Sequence, residues 1–188
     1  MQIKTIIIFL FILLCLIFLA NKLSFSKRTL AKVKDFELKF KDNIDKKQKN
    51  FCGDKYKTNN VADFYFCSSF NPFLTGFLKY DYSSINMLQK AVLYGSRFIE
   101  LEIFNKDIKD DTIPVVGSSS DDGSVIYGQN VIDCQDVFQL ISDIAFSQRY
   151  IDNYEEPFFI FLNLKTKGNI NTLNKLYNII KSTLNLNL

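Results

Sequence analysis

The sequence predicts an α/β domain with a parallel sheet, preceded by an N-terminal membrane-spanning helix. Two observations support this fold class. From Val61 onward, short apolar and β-branched runs alternate with longer segments of helical periodicity, which is the pattern of strand–helix–strand units. Before them, Thr5 to Ala20 is an uncharged apolar run, at the short end of the length that crosses a hydrocarbon layer.

Four short runs are rich in aromatic, apolar and β-branched residues, which favour strands. In chain order they are VADFYFC (61–67), SRFIELEIF (96–104), TIPVV (112–116) and PFFIFLNL (157–164). Their aromatic residues, Phe161 among them, are predicted to be core. The stretch GSSSDDGSVIYGQ after the third run predicts a loop with a short hairpin at SVIYG. Its acidic pair, Asp121 and Asp122, fits a solvated turn better than a pair of acid–base groups.

Three segments with helical periodicity lie between and after these strands. The first has Ser83 or Ser84 as its N-cap and stops at Gly95, and the second is capped by Asp133. The third covers NTLNKLYNIIKSTL, with Leu176 on its apolar face. The order strand, helix, strand, strand, helix, strand, helix favours a parallel sheet.

We interpret residues 1–21 as an uncleaved anchor, with a cleavable signal peptide as the alternative. Lys4 fits both, but cleavage after Ala20 would place the bulky Phe18 where a small residue is preferred. A basic helical linker is predicted over residues 22–50, and the main domain over residues 51–188. The linker lysines would each gain roughly 1 kcal/mol beside anionic lipid headgroups. An equally supported alternative is a solvated helical linker whose basic residues only fix the orientation of the chain across the membrane.

Charge is distributed unevenly along the chain. Residues 1–50 carry 11 Lys and Arg against 4 Asp and Glu, whereas residues 51–188 carry 12 against 16. Because Lys22, Lys27 and Arg28 outnumber Lys4 across the apolar run, a single-pass membrane protein with a cytoplasmic body is predicted. No stretch combines a basic patch with stacking aromatics, so nucleic acid is excluded as a partner.

The cysteines predict no metal centre of the usual zinc type. The chain has four cysteines, no CxxC pair and no histidine. Cys52 and Cys67 flank one short segment, and they would form a disulfide only if the body faced an oxidising compartment.

Five motifs occur in an order that matches a known family. The first is SSFNPFLTG (68–76), against Ser-Ser-His-Asn-Thr-Tyr-Leu-Thr-Gly, and the second is GSRFIELEIF (95–104), against Gly-x-Arg-x-x-Glu-Leu-Asp. PVVGSS, DIAFS and PFFIFLNL follow. From about Phe64 to Leu184 the chain thus resembles the X-box of phosphoinositide-specific phospholipase C. The resemblance implies a PLC-like TIM-type barrel, of which this chain holds the first half, about four β/α units. The chain continuing further, another copy or a protein partner would supply the second half.

The resemblance also implies where catalytic groups should lie. The family uses one histidine on the inositol 2-hydroxyl and another on the leaving group and the phosphorane charge, and each role is worth about 10²–10⁴-fold. Phe70 and Ser118 occupy these two positions, and the chain has no other imidazole to replace them.

In the calcium-dependent members of the family, four residues hold the ion. The matching residues here are Asn71, Glu100, Glu102 and Asn163. All four carry side-chain oxygen, which suits Ca²⁺, although Asn163 replaces a glutamate and removes a charge. In the alternative interpretation, the two glutamates only pair with basic neighbours such as Arg97 or Lys90.

Three functions follow from these residues. The first is a membrane-anchored PLC X-domain-like protein, catalytically inactive, with a binding or structural role; its motif style resembles the histidine-poor PLC-like proteins of large DNA viruses. The second is a phosphoric diester hydrolase that acts on membrane phospholipid with a metal ion. The third is a membrane-anchored scaffold whose barrel residues bind nothing. The missing histidines favour the first and third.

Overall fold

The structure, a computed structural model, describes residues 2–44, 60–77, 79–107, 112–120, 124–152 and 154–184. The helices are α1 (Gln2–Ile44), α2 (Ile85–Leu93), α3 (Cys134–Ala145) and α4 (Ile170–Thr183). The strands are β1 (Ser68–Phe70), β2 (Phe98–Asn105), β3 (Pro114–Ser119), β4 (Ile126–Asp133) and β5 (Phe159–Leu164). The turn predicted at Asp121 and Asp122, the disulfide considered for Cys52 and the end of the predicted linker lie outside these ranges.

The five strands form one mixed sheet centred on β2. β5 pairs with β2 in parallel over Phe98–Ile103 of β2. β1 pairs in parallel with residues 98–100 of β2, and β3 pairs antiparallel with residues 102–105. Because β5 already occupies one edge of β2 along this range, β1 and β3 lie end to end along the other edge.

The prediction of a parallel sheet is therefore only partly right. β1, β2 and β5 are parallel, but β3 runs antiparallel to β2, and β4 antiparallel to β3. β3 begins at Pro114, soon after β2 ends at Asn105, and a connection shorter than a dozen residues suits an antiparallel neighbour. The short hairpin predicted within SVIYG is wrong, because Ile126–Gly128 lie in β4, a single strand that continues to Asp133 and pairs with β3.

The first strand also differs from its prediction. Val61–Asp63 forms a single 3-10 turn, and the strand begins only at Ser68. Phe64 and Phe66 of this segment instead join a half-buried cluster, in which the Phe66 ring lies 5.1 Å from that of Phe159. Ring packing thus explains the β-like composition of this segment without any strand pairing.

The core lies between one face of the sheet and helices α2, α3 and α4. Ile99, Leu101 and Ile103 are fully buried on this face of β2. The same cluster contains Leu88 and Val92 of α2, Val137 and Ile141 of α3, and Leu176 of α4. The alternating apolar side chains of β2 therefore pack against the apolar faces of the three helices, as the sequence predicts.

The helix boundaries agree with their sequence signals. Ser84 is the N-cap residue of α2, which ends at Leu93 just before Gly95. Asp133 is the N-cap residue of α3, although its carboxylate pairs with Lys106 at 3.3 Å rather than capping the helix. In α4, the Asn169 side chain accepts a hydrogen bond from the amide of Thr172.

Candidate functional site

The face of the sheet opposite the core carries the polar motif residues. The pairing register places Phe70 beside Glu100, and Glu102 beside Asn163. Residues paired across neighbouring strands project to the same face, so these side chains share one surface. Adjacent parallel strands lie roughly 4.8 Å apart, which brings the paired side chains within reach of one another. No helix covers this face among the described residues; Phe70 is 57% exposed and Phe161 is 53% exposed.

Glu102 is buried on this face and is held by Lys165. The Lys165 ammonium lies 3.3 Å from Oε1 of Glu102, and the exposed fractions of the two side chains are 10% and 7%. The backbone amide of Ser119 donates to Oε2 of Glu102 at 3.0 Å. Lys165 also donates to Oγ of Ser119 and to the carbonyl of Ser120, both at 3.1 Å. This cluster ties β2, β3 and the end of β5 together.

Neither Arg97 nor Lys90 pairs with these glutamates, so that expectation is wrong. Lys90 lies on α2, and its ammonium pairs with Glu37 of α1 at 2.5 Å. Arg97 points to the helical side, where it donates to the carbonyls of Ala145 (2.7 Å), Pro157 (3.3 Å) and Glu156. Burial lowers the pKa of Arg97 from its usual value, because desolvation disfavours the charged form.

Asn71 is the most unusual polar residue at this end of the sheet. It follows β1 directly and adopts a positive φ of 43°, which asparagine tolerates better than most residues. Its backbone amide donates to the carbonyl of Glu100 at 3.0 Å, which fixes it beside that strand. The side chain is buried, with the residue 2% exposed, yet neither of its amide atoms has a hydrogen-bond partner among the described residues. A buried amide without partners is costly and points to a missing ligand or water.

Glu100 differs from its neighbour two positions along. It is half-buried, and its carboxylate makes no hydrogen bond or ion pair with the other described residues. Glu100 is therefore available to a ligand, whereas Glu102 is already neutralised by Lys165.

Ser118 lies in a different place from the one its motif implies. The residue is in β3 rather than in the loop, and it is 2% exposed. Ser119, not Ser118, reaches the cluster of Glu102 and Lys165. The position matched to the family's second histidine is thus a buried strand residue.

The sequence motifs missed Lys165 and Ser119. Lys165 lies two positions after Asn163, and alternation along an extended chain gives both the same face. That spacing was the signal that could have found Lys165. Ser119 has no comparable signal, because its place depends on the antiparallel register that pairs Glu102 with Gly117, and sequence spacing does not give that register.

A cavity of about 610 Å³ opens beside this cluster, at the carboxyl ends of β2 and β5. Its walls include Asn105 and Lys106 from the end of β2, and Lys165, Lys167 and Asn169 from the loop that precedes α4. Asn105 donates to the carbonyl of Thr166 at 3.0 Å. The cavity is adjacent to the site but contains none of Asn71, Glu100 or Asn163 among its lining residues.

No protein-family model and no curated protein match the chain. Among solved structures, the crystal structure of S. officinalis PLC21 matches with a TM-score of 0.49 and 18% identity, over 67% of this chain and 14% of that one. L. pealei PLC21 matches with a TM-score of 0.47 and 19% identity, over 66% of this chain and 14% of that one. The matched part is a small share of either protein, so the proposals below rest on the residues of this chain.

Proposed function

We propose that the chain is a membrane-tethered module of the phospholipase C X-box type that has lost its acid–base catalysis and serves a binding or structural role. One observation carries the proposal. Phe70 stands in register with Glu100 on the open face, where the resembled family needs a base, and its ring is largely exposed to whatever approaches. A phenyl ring can neither accept nor donate the proton that phosphodiester cleavage moves.

In this proposal, no other group among the described residues takes over this role. The chain contains no histidine. Ser118 is buried and makes no contact with the open glutamate, and a serine without a partner is a poor base at neutral pH. Cys134 does not supply a base, because burial raises its pKa to about 12 and keeps its thiol protonated.

The tether is the first half of α1. The window Lys4–Asn21 is long and apolar enough to cross a membrane by length and composition, and none of it is buried against the body. Lys27 and Arg28, both exposed, follow the window on the same helix. In this proposal their positive charge favours a cytoplasmic body and adds electrostatic attraction to anionic lipids.

The open face and the outer edge of β5 belong to an incomplete barrel in this proposal. β5 pairs with β2 alone among the described strands, so its other edge offers unpaired backbone groups. A second half-barrel, from another polypeptide segment or a protein partner, would pair with this edge and enclose the face that carries Glu100.

A second candidate, a metal-dependent phosphoric diester hydrolase, is favoured by Asn71. Its unpartnered amide, the free carboxylate of Glu100 and the amide of Asn163 are oxygen ligands that fit a hard cation such as Ca²⁺. Bound there, the ion would polarise a phosphoryl oxygen. Lys165 opposes strong binding, because it already neutralises Glu102.

Turnover separates the two candidates. The full chain in detergent or nanodiscs is assayed on a soluble phosphatidylinositol analogue, with and without calcium, beside the Glu100→Gln variant. Glu100→Gln is the matched control because the Glu100 carboxylate bonds to none of the other described residues, so its loss should not unfold the protein. We expect no turnover above this control; calcium-dependent turnover that the variant lacks would establish the hydrolase instead.

Restoring the histidines tests how much of the site remains. We expect Phe70→His with Ser118→His to stay inactive, because Ser118 is buried in β3 rather than exposed at the site. Robust activity in this double variant would mean that only the two bases had been lost. A companion titration with Tb³⁺ as a calcium substitute distinguishes a binding module from an inert scaffold, because only the former gives luminescence that Glu100→Gln weakens.

A further inference from the structure

The second half of α1 is attached to the body rather than free. Lys32 pairs with Asp81 in the connection between β1 and α2, and Glu37 pairs with Lys90 on α2. Val33, between these two ion pairs, is 5% exposed. The Phe36 ring lies 5.5 Å from that of Tyr94, just beyond the end of α2.

These contacts define the direction in which α1 runs along the body. α2 begins at Ile85, after the carboxyl end of β1, and runs back to Leu93, before the amino end of β2. Lys32 therefore contacts the body near the carboxyl ends of the strands, and Glu37 contacts it nearer their amino ends. α1 thus runs in the same sense as α2, so its residues before Lys32 extend beyond the carboxyl ends of the strands.

The length of α1 sets the distance to the membrane. Lys32 lies eleven positions after Asn21, the last residue of the apolar window. This spacing corresponds to about 16 Å of helix. The headgroup layer on each side of the hydrocarbon is roughly 5–7 Å thick. The level of Asp81 is then about 10 Å from the outer surface of the headgroups, and closer if α1 is tilted.

We infer that α1 orients the body so that the carboxyl ends of β1, β2 and β5 face the bilayer that α1 enters, an inference that rests on the proposed tether. The bilayer-facing surface is formed by Phe77 and residues 79–81, in the loop between β1 and α2, with the cavity and the open site at the same end of the sheet. Phe77 and Tyr80 of this loop are 82% and 76% exposed, unlike the apolar residues of the core. The partner of this surface is the lipid leaflet itself.

The loop is held to α1 by a compact set of contacts. Asp81 accepts from Lys32 and also from the backbone amide of Phe77 at 2.6 Å. A side chain at Gly76 would overlap the carboxylate of Asp81, so the turn requires glycine there. Because the carboxylate that contacts α1 is also fixed by the loop backbone, rotation of the body about α1 would break its contact with Lys32.

The absence of tryptophan from the chain makes a direct test practical. Two single-tryptophan variants report on opposite ends of the sheet, Phe77→Trp in the loop and Tyr65→Trp before β1. Both native side chains are highly exposed, with Tyr65 fully so, which makes the pair well matched. Each variant of the full chain is reconstituted into phosphatidylcholine vesicles that contain dansyl-labelled phosphatidylethanolamine, and energy transfer from tryptophan is measured.

We expect energy transfer to be at least roughly threefold more efficient for Phe77→Trp than for Tyr65→Trp, because about 20 Å of strand separates the two ends. Equal or reversed transfer in protein that floats with the vesicles would overturn the orientation while leaving the tether intact. Protein that fails to float with the vesicles would overturn the tether, and the orientation with it.

A further pair of variants tests whether the contacts of α1 cause the orientation. Val33→Asp places a charge in the buried contact, and Leu30→Asp, at a position 62% exposed on the same helix, is the matched control. In the Phe77→Trp background, Val33→Asp should abolish the transfer advantage over Tyr65→Trp, whereas Leu30→Asp should preserve it. An advantage that survives Val33→Asp would show that α1 does not set the orientation.

Discussion

The two faces of β2 use the same backbone for opposite purposes. On the helical face, Ile99, Leu101 and Ile103 are fully buried and join the core of three helices. On the other face, the carboxylate of Glu100 makes no hydrogen bond or ion pair with the other described residues. Glu102 is neutralised by Lys165, just after the end of the neighbouring strand β5. Burial of apolar side chains drives folding and requires no specific direction of contact. Buried polar side chains, in contrast, need specific hydrogen-bond or ion-pair partners. The helical face therefore supports the fold, and the open face retains room for ligands.

The largest expected effect comes from the helical face. Leu101→Ala should lower the free energy of unfolding by about 2–5 kcal/mol, because it removes a fully buried side chain and leaves a cavity. Phe161→Ala, at a half-exposed position of the open face, should cost less than about 1 kcal/mol. Urea unfolding of the full chain in detergent compares them. A large loss at Phe161 would reveal that another molecule covers the open face.

Arg97 sharpens the comparison because it is a charge on the helical side. Arg97→Met should cost about 2–4 kcal/mol, since three carbonyl groups between α3 and β5 lose a charged donor. Its cation–π contacts with Phe146 and Phe158, at 5.8 and 5.1 Å, would be lost as well. The exposed Arg149→Met is the control, and thermal unfolding is the measurement. A cost no larger than that of the control would argue against the structural role of Arg97.

On the open face, Lys165 tests whether the buried ion pair is required. Lys165→Met should destabilise the protein by about 2 kcal/mol, because it leaves the carboxylate of Glu102 with only the Ser119 amide. Lys167→Met, on an exposed neighbour, should be close to neutral. The double variant Lys165→Met with Glu102→Gln should recover part of the loss in the same unfolding assay. No recovery would show that Lys165 stabilises through packing rather than charge.

The smallest expected effect concerns the contact between α1 and the body, and it depends on pH. The hydrogen bond from Lys32 outweighs desolvation and lowers the pKa of Asp81 below its usual 3.8. A lowered folded-state pKa means that the ionised carboxylate stabilises the protein above pH 3.8, and that this contribution is lost as pH falls through the lower folded value.

Asp81→Asn should therefore cost about 1 kcal/mol at neutral pH and progressively less in acid. Unfolding of the native chain and the variant is measured across the acid range, with Asp35→Asn, on an exposed part of α1, as the control. A difference between native chain and variant that is independent of pH would contradict the role of the Asp81 charge.

Sequence periodicity was sufficient for the helical face. Local pattern predicts the positions of α2, α3 and α4, the cap residues of α2 and α3, and the buried alternation of β2. Each of these depends on residues close in the chain. The motif order predicted that Asn71, Glu100, Glu102 and Asn163 would lie at one end of the sheet, and this stays a prediction. The direction of β3 was predicted wrongly, because connection length rather than composition decides between parallel and antiparallel pairing.

Local pattern by itself determined the apolar N-terminal helix, the other helices, most strands and the absence of an imidazole, because these depend on composition and short-range spacing. Only the tertiary structure assigned Lys165 to Glu102, left Asn71 without partners and attached α1 to α2. Those contacts join residues far apart in the chain, and many lysines were equally plausible partners on charge alone. Strand register and helix packing selected among them, and neither can be read from sequence spacing.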